Sequence, residues 1–518
     1  MRTSLRTAQA LALLLGFYTL TVGALAVIVT VNVVLTQVWL RSGGPSPLQI
    51  WGFSALLCYP LVRGLFVARG NRRCPDGVRV SAEEQPELWQ RVHRVAGAVG
   101  TRPPAELWLV DEVEAAVWQS SWLLGLIPGR RRMVLGLPLL AGLTTAELDS
   151  VLAHELGHYA HFDTRLAALT ARNRAGLRQI VARYGDAQGF GHGIGRGFAR
   201  YARMCLSVSQ ASSRAQEVAA DRASVRIAGR AAAVSALRQV RALDAAHGRY
   251  TEQQSGIGWT LGLRPPAEDM LPRFRRFLGT ETWRREAERM LVDPPREKVS
   301  LYDSHPPIEE RIALIEALPE AEAENAGRAV DGATASAYGL LREADALGGR
   351  TALARPGAGE RREVPWDVLA AAVGQAELFS EGEPLLRSAS AVLRRRSGLD
   401  EILDAVDAGR WSELVDWIPH QGSVIVVSAP ASRTMKVAAA SDALYSLSLS
   451  SLVERGRGRW RMDVGRGKVL ALDAGLDPLF GPAIDAAVDA GTADTSILRQ
   501  LLADAEPEVR AEPEPMPN

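Results

Sequence analysis

From Thr7 to Leu40 the chain runs 34 residues without a charge. About 20 apolar residues cross the hydrocarbon core of a bilayer, so this length predicts a membrane helix. A second apolar stretch, Gln49 to Ala68, follows a Ser-Gly-Gly-Pro-Ser-Pro turn and carries Arg63 as its only charge. Residues 1–70 therefore read as a transmembrane helical hairpin. The competing reading of the first segment is a cleaved signal peptide, with Arg2 and Arg6 as its basic start and Ala24-Leu25-Ala26 as its cleavage site. Against it, Val27-Ile28-Val29 and the residues beyond stay apolar, as an uncleaved anchor does. Arginines set the orientation. Arg2 and Arg6 precede the hairpin and Arg69, Arg72 and Arg73 follow it, whereas the connecting loop holds only Arg41. The excess of positive charge at both ends places them, and the large remainder, in the cytoplasm of a two-span cell-membrane protein.

The remainder behaves as a folded chain. Sixty basic residues against fifty-nine acidic ones leave no basic excess, so no nucleic-acid partner is expected. Cys58, Cys74 and Cys205 form no CxxC pair and no disulfide framework. Ser81 to Val99 reads as an amphipathic helix with Leu88, Val92, Val95 and Ala96 on one side. Glu106–Asp111 and Met133–Leu137 read as strands, with Ala115–Trp118 as a third at an edge. Helical patterns dominate from Thr144 to about Ala245, interrupted by the glycine-rich loop Gly189–Gly195, which lacks the preceding strand of a phosphate site. Residues 321–365 read as a linker, 366–503 as a C-terminal α+β module with Ser423–Val427 as its clearest strand, and 504–518 as a disordered acidic, proline-rich tail.

The chemistry lies in Val151-Leu152-Ala153-His154-Glu155-Leu156-Gly157-His158. Residues four apart share a helix face, so His154 and His158 point two imidazoles at one metal ion. Glu155 is rotated away from that face, near enough to reach a water on the metal. Thr144-Thr145-Ala146-Glu147 fits a capping box that starts this helix. With eight histidines in 518 residues, chance gives such a pair with an intervening Glu about 0.01 times. Catalytic zinc takes three protein ligands and keeps one position open. The metzincin spacing would put a third histidine at 164, which is Thr164, and His161 reads as a helix-end residue. Glu217 is the better third ligand, and Asp221, four residues on, is placed to accept the outward N–H of a ligand histidine.

These motifs, with the hairpin before them, resemble the HtpX-like and CAAX-prenyl-protease family of membrane zinc peptidases. The segment Asp303-Ser304-His305-Pro306-Pro307-Ile308-Glu309-Glu310-Arg311-Ile312 is similar to that family's His-Pro segment followed by Arg. The resemblance covers roughly Pro75 to Leu318. It implies a mainly α, gluzincin-like domain over residues 75–320 with a small mixed β-sheet. It implies one Zn2+ per subunit on His154, His158 and Glu217, with Glu155 as the catalytic carboxylate. His305 is the candidate donor to the oxyanion, with Arg311 as an orienting or structural partner that stands with Asp221 behind the metal ligands. Where family members often carry Asn-Ala-Phe on the substrate strand, this chain has Ala115-Ala116-Val117. Four-span members usually place two spans between the zinc motifs, but here the longest uncharged run near the second motif, Met204–Ser213, is too short to cross. The function expected is a membrane-anchored zinc endopeptidase acting on protein or peptide substrates at the lipid bilayer. The alternative is a regulatory or signalling membrane protein whose peptidase domain processes or senses one dedicated partner.

Overall fold

The computed structural model describes residues 2–42, 47–66, 76–122, 127–159, 199–201, 214, 216–292, 306–319, 334–418, 429–488 and 494–503. His161, the loop 189–195, His305, the strand expected at 423–427 and the tail from 504 lie outside the described residues. The chain divides into two units, one comprising Met1–Gly248 with Glu268–Gly359 and the other Arg249–Ala267 with Glu360–Asn518.

The first unit begins with α1 (Arg2–Ser42) and α2 (Pro47–Phe66). Within α1 the 25 residues Tyr18–Ser42 are long and apolar enough to cross a membrane, the one such helix among the described residues. The second expected span corresponds to α2, a 20-residue helix with Arg63 as its only charge. The two helices pair antiparallel. Ser54 donates to Asn32 Oδ1 at 2.7 Å, and Trp51 Nε1 donates to Thr36 Oγ1 at 3.1 Å. Asn32 and Ser54 are both buried by this pairing, while Val27, Val34 and Leu40 on α1 are exposed.

A four-stranded mixed sheet follows, in the order β1-β2-β4-β3. β1 (Gly77–Val80) runs antiparallel to β2 (Glu106–Val110), β2 parallel to β4 (Ile127–Gly136), and β4 antiparallel to β3 (Ala115–Trp122). The three strands expected in this unit are present, and Ala115–Trp118 belongs to an edge strand. β4 starts earlier than Met133 because Pro128 and Arg130–Arg132 hide the apolar pattern. β1 is too short to stand out in the sequence. Helix α3 (Pro86–Val99) starts later than Ser81. Ser81 and Glu84 instead close a turn on each other's backbone, and Pro86 fits the first helical turn.

Helix α4 (Leu137–Gly142) leads into α5 (Thr145–Gly157). The α5 cap is the box expected: Glu147 N–H donates to Thr144 Oγ1 and Thr144 N–H to Glu147 Oε2. Leu148, Leu152 and Leu156 fall four apart and are fully buried. Beneath α5, Leu88, Val92 and Val95 of α3 are buried as well. A buried ion pair joins these two helices: Arg91 donates to both oxygens of Asp149, at 2.6 and 2.8 Å. Beyond come α6 (216–228) and α7 (Arg230–Tyr250), then α8 (Met270–Leu278), α9 (Glu281–Val292), α10 (Ile308–Glu316) and α11 (Ala344–Leu353). Ile312 and Ile315 of α10 share a small core with Val225 and Val234. The stretch read as linker contains structure: α11 packs on α8, and Ala337 N–H donates to Leu143 O at 2.9 Å. Gly348 and Gly349 hide that helix in the sequence, because glycine lowers helix propensity. Their missing side chains leave room for the close approach of Leu271 and Glu268.

The second unit is mainly helical. Its core is built from α12 (Trp366–Leu393), α13 (Leu399–Asp407), α14 (Trp411–Asp416), α15 (Ala429–Glu454), α16 (Asp477–Val488) and α17 (Ser496–Leu502). The segment Arg249–Ala267 contributes β5 (Leu263–Arg264), parallel to β6 (Arg362–Glu363). Hairpin β7–β8 (Gly458–Asp463, Gly467–Leu472) packs on α12, with Trp460 lying over Gly374. Gln254 of the inserted segment donates to Val464 O at 2.6 Å.

Candidate metal centre

Helix α5 delivers His154 from its last turn and His158 from its C-cap, and α6 delivers Glu217 and Asp221 from successive turns. The approach of α5 to α6 is close because Gly157 has no side chain. A Cβ there would lie 3.2 Å from Ala223 Cβ and 3.3 Å from Ala220 Cα. Ser224 Oγ also donates to Ser150 O at 2.8 Å, tying the two helices one turn further along.

Three donor atoms converge. One ligand atom each from His154, His158 and Glu217 lie within 4.8 Å of one another. His154 Nε2 is 3.5 Å from Glu217 Oε2, and His158 Nε2 is 3.8 Å from Glu217 Oε1. Ligands on a tetrahedral zinc ion stand about 3.4 Å apart, given bonds near 2.1 Å. Two imidazoles and a carboxylate at these separations fit such an ion. Glu155, the residue after the first histidine, is half-buried and stands outside this trio.

Asp221 occupies the outer side of His154, as the i, i+4 spacing from Glu217 anticipated. Its Oδ1 is 3.0 Å from His154 Nδ1. An Nδ1–H donating to that carboxylate leaves Nε2 with its lone pair toward Glu217 and His158. Arg311 of α10 closes the arrangement, with Nη2 donating to Asp221 Oδ1 at 2.6 Å and Nε to Oδ2 at 3.2 Å. Nη2 also stands 3.0 Å from His154 Nδ1. Two donors do not bond each other, so the guanidinium's partner is the carboxylate. The sequence sets Arg311 with Asp221 behind the metal ligands, and the structure pairs the two directly; His305, the other partner expected for Arg311, lies outside the described residues.

The electrostatics follow from burial and charge. Burial of His154 is the largest influence and opposes its charged form, but the Asp221 and Glu217 carboxylates beside it prevail and lift its pKa to about 9. Burial pushes the Asp221 carboxyl up, whereas His154 and Arg311 hold it below its usual value. Both shifts pertain to the metal-free protein.

Tyr159 has a part that the sequence did not reveal. Its hydroxyl donates to Val117 O on β3 at 2.6 Å, and the Arg131 guanidinium lies over its ring at 4.6 Å. Burial raises the hydroxyl's pKa to about 12, so it stays a donor at neutral pH. The signal available was its place directly after His158. The buried pair Arg91–Asp149, which holds α5 from behind, had no local signature either.

Comparison with known proteins agrees with this geometry. Residues 82–318 match the model of Peptidase family M48. A protease HtpX homolog of Limosilactobacillus fermentum is 26% identical over 255 residues, covering 46% of this chain and 74% of that protein. A protease HtpX homolog of Ralstonia pickettii is 26% identical over 254 residues, covering 47% and 77%. The protease HtpX of Ectopseudomonas mendocina is 25% identical over 256 residues, covering 44% and 85%. No solved structure matches the chain. Residues 82–318, which contain the converging His154, His158 and Glu217, thus form an HtpX-like protease domain of Peptidase family M48.

Proposed function

We propose that the chain is a membrane-anchored, zinc-dependent endopeptidase that cuts extended segments of unfolded or membrane-associated proteins. The observation that carries this reading is the convergence of His154, His158 and Glu217 beside Glu155. Zinc held by those three residues supplies an activated water and polarises the scissile carbonyl. Glu155 takes the proton of the attacking water and passes it to the leaving amine. Asp221 and Arg311 hold His154 in the tautomer whose Nε2 is a ligand. His305 donates to the developing oxyanion. The edge strand β3 receives the peptide by strand addition, reading backbone more than side chains.

Anchoring rests on α1. Its exposed Val27, Val34 and Leu40 make a surface that lipid covers at less cost than water. With α2 as a second span, the arginines at both ends keep the peptidase domain cytoplasmic. The test is Glu155→Gln in the full chain. The variant is expected to retain one zinc per chain and to lose cleavage of an unfolded test protein. Full cleavage by the variant, or absence of zinc from the unaltered protein, overturns the reading.

A further inference from the structure

We propose that Tyr159 competes with the substrate for the sheet edge, its hydroxyl occupying the Val117 carbonyl that an added peptide strand needs. The proposal rests on β3 being the substrate strand. The register of the sheet fixes which backbone groups face outward. Gly136 N–H donates to Glu114 O at 2.7 Å, so that pair is hydrogen-bonded across β3 and β4. Hydrogen-bonded and non-bonded pairs alternate along an antiparallel ladder. Ala116 opposite Val134 is then a bonded pair, and Val117 opposite Met133 is not. The N–H and C=O of Val117 therefore point away from β4, toward the open side of the sheet. Among the described residues no strand pairs with β3 on that side. The Tyr159 hydroxyl, 2.6 Å from the Val117 oxygen, occupies that side.

A peptide strand laid on β3 needs to donate an N–H to the same oxygen. The phenol stands in its path, and it is held rather than loose. Arg131 covers the ring, and its guanidinium is itself fixed by Thr101 Oγ1 at 3.0 Å and Arg102 O at 2.5 Å. Tyr159 directly follows His158 in the chain, so the plug is carried by the segment that carries a metal-ligand candidate. Each binding event must lift the hydroxyl away, and each product release lets it return. This keeps extended peptides weakly bound and short-lived on the edge. Removing only the oxygen frees the ring to swing aside.

The test measures binding by the full chain in detergent, in a Glu155→Gln background that leaves the peptide uncut. The probe is a fluorescein-labelled unstructured peptide. Adding Tyr159→Phe is expected to tighten binding about three- to tenfold, the worth of one competing hydrogen bond. In a scan of peptides N-methylated at single backbone positions, the tightening is expected to vanish at the residue that faces Val117. Unchanged or weaker binding, a gain that survives methylation at every position, or no binding by either protein overturns the proposal. Cleavage by the unaltered protein is read separately, so loss of the protease reading is seen apart from loss of this one.

Discussion

Asp221→Asn tests how far the residues behind the metal ligands set the properties of the site. The carboxylate accepts from His154 Nδ1 at 3.0 Å and from Arg311 at 2.6 and 3.2 Å. Replacing a partner that orients a ligand histidine typically costs about 10–100-fold in metal affinity, or about 1.4–2.8 kcal/mol. A second effect opposes this at neutral pH. His154 titrates at about 9 in the metal-free protein, and metal must displace that proton. Affinity therefore rises about tenfold per pH unit up to that value and then levels off. At pH 7 the proton weakens binding on the order of a hundredfold. The substituted amide carries no charge to hold the proton, so most of that penalty disappears in the variant. The expected outcome is a loss of about 10–100-fold at pH 9.5, a much smaller loss at pH 7, and a flatter dependence on pH between them. The assay is competition for zinc against a chromophoric chelator in metal-buffered solution. An equal loss at both pH values, or no loss at pH 9.5, refutes the coupling of Asp221 to His154.

Three further outcomes are expected. His305→Ala should lower kcat by about 10²–10³ with zinc content unchanged, as removal of an oxyanion donor does, and unaltered kcat removes His305 from the chemistry. Gly157→Val puts two methyl groups and a Cβ against Ala223 and the Ala220 backbone; it should cost about 1–3 kcal/mol on chemical denaturation and weaken zinc binding as α6 is pushed away. Asp149→Ala strands the buried Arg91 and should cost about 3–5 kcal/mol, whereas Arg91→Met with Asp149→Leu should cost far less; equal losses would show that the stranded charge is not the cause.

The parts of the site that were legible in the sequence are those that one helix writes locally. His154 and His158 lie one turn apart on α5, and Glu217 and Asp221 repeat that spacing on α6. The capping box at Thr144 announced the first helix for the same reason. What stayed hidden depends on distant pairings. No pattern around Arg311 says that it closes on Asp221 across 90 positions, and none around Tyr159 says that it reaches Val117. Short or interrupted elements were equally silent. β1 has four residues, and α11 carries two adjacent glycines that composition assigns to a linker.

The path of the chain through the second unit bears on how this protein can be cut or recombined. The backbone crosses between the two units after 248, again after 267 and a third time after 359. One nick at the last crossing leaves the C-terminal unit still tethered by the other two. A gene fragment starting at codon 360 would lack β5 and Gln254, leaving β6 without its neighbour and Val464 without its donor. Exchange of this unit between relatives must therefore carry both pieces together, and residues 249–267 are expected to co-vary with those after 360 more than with the peptidase sequence on either side of them.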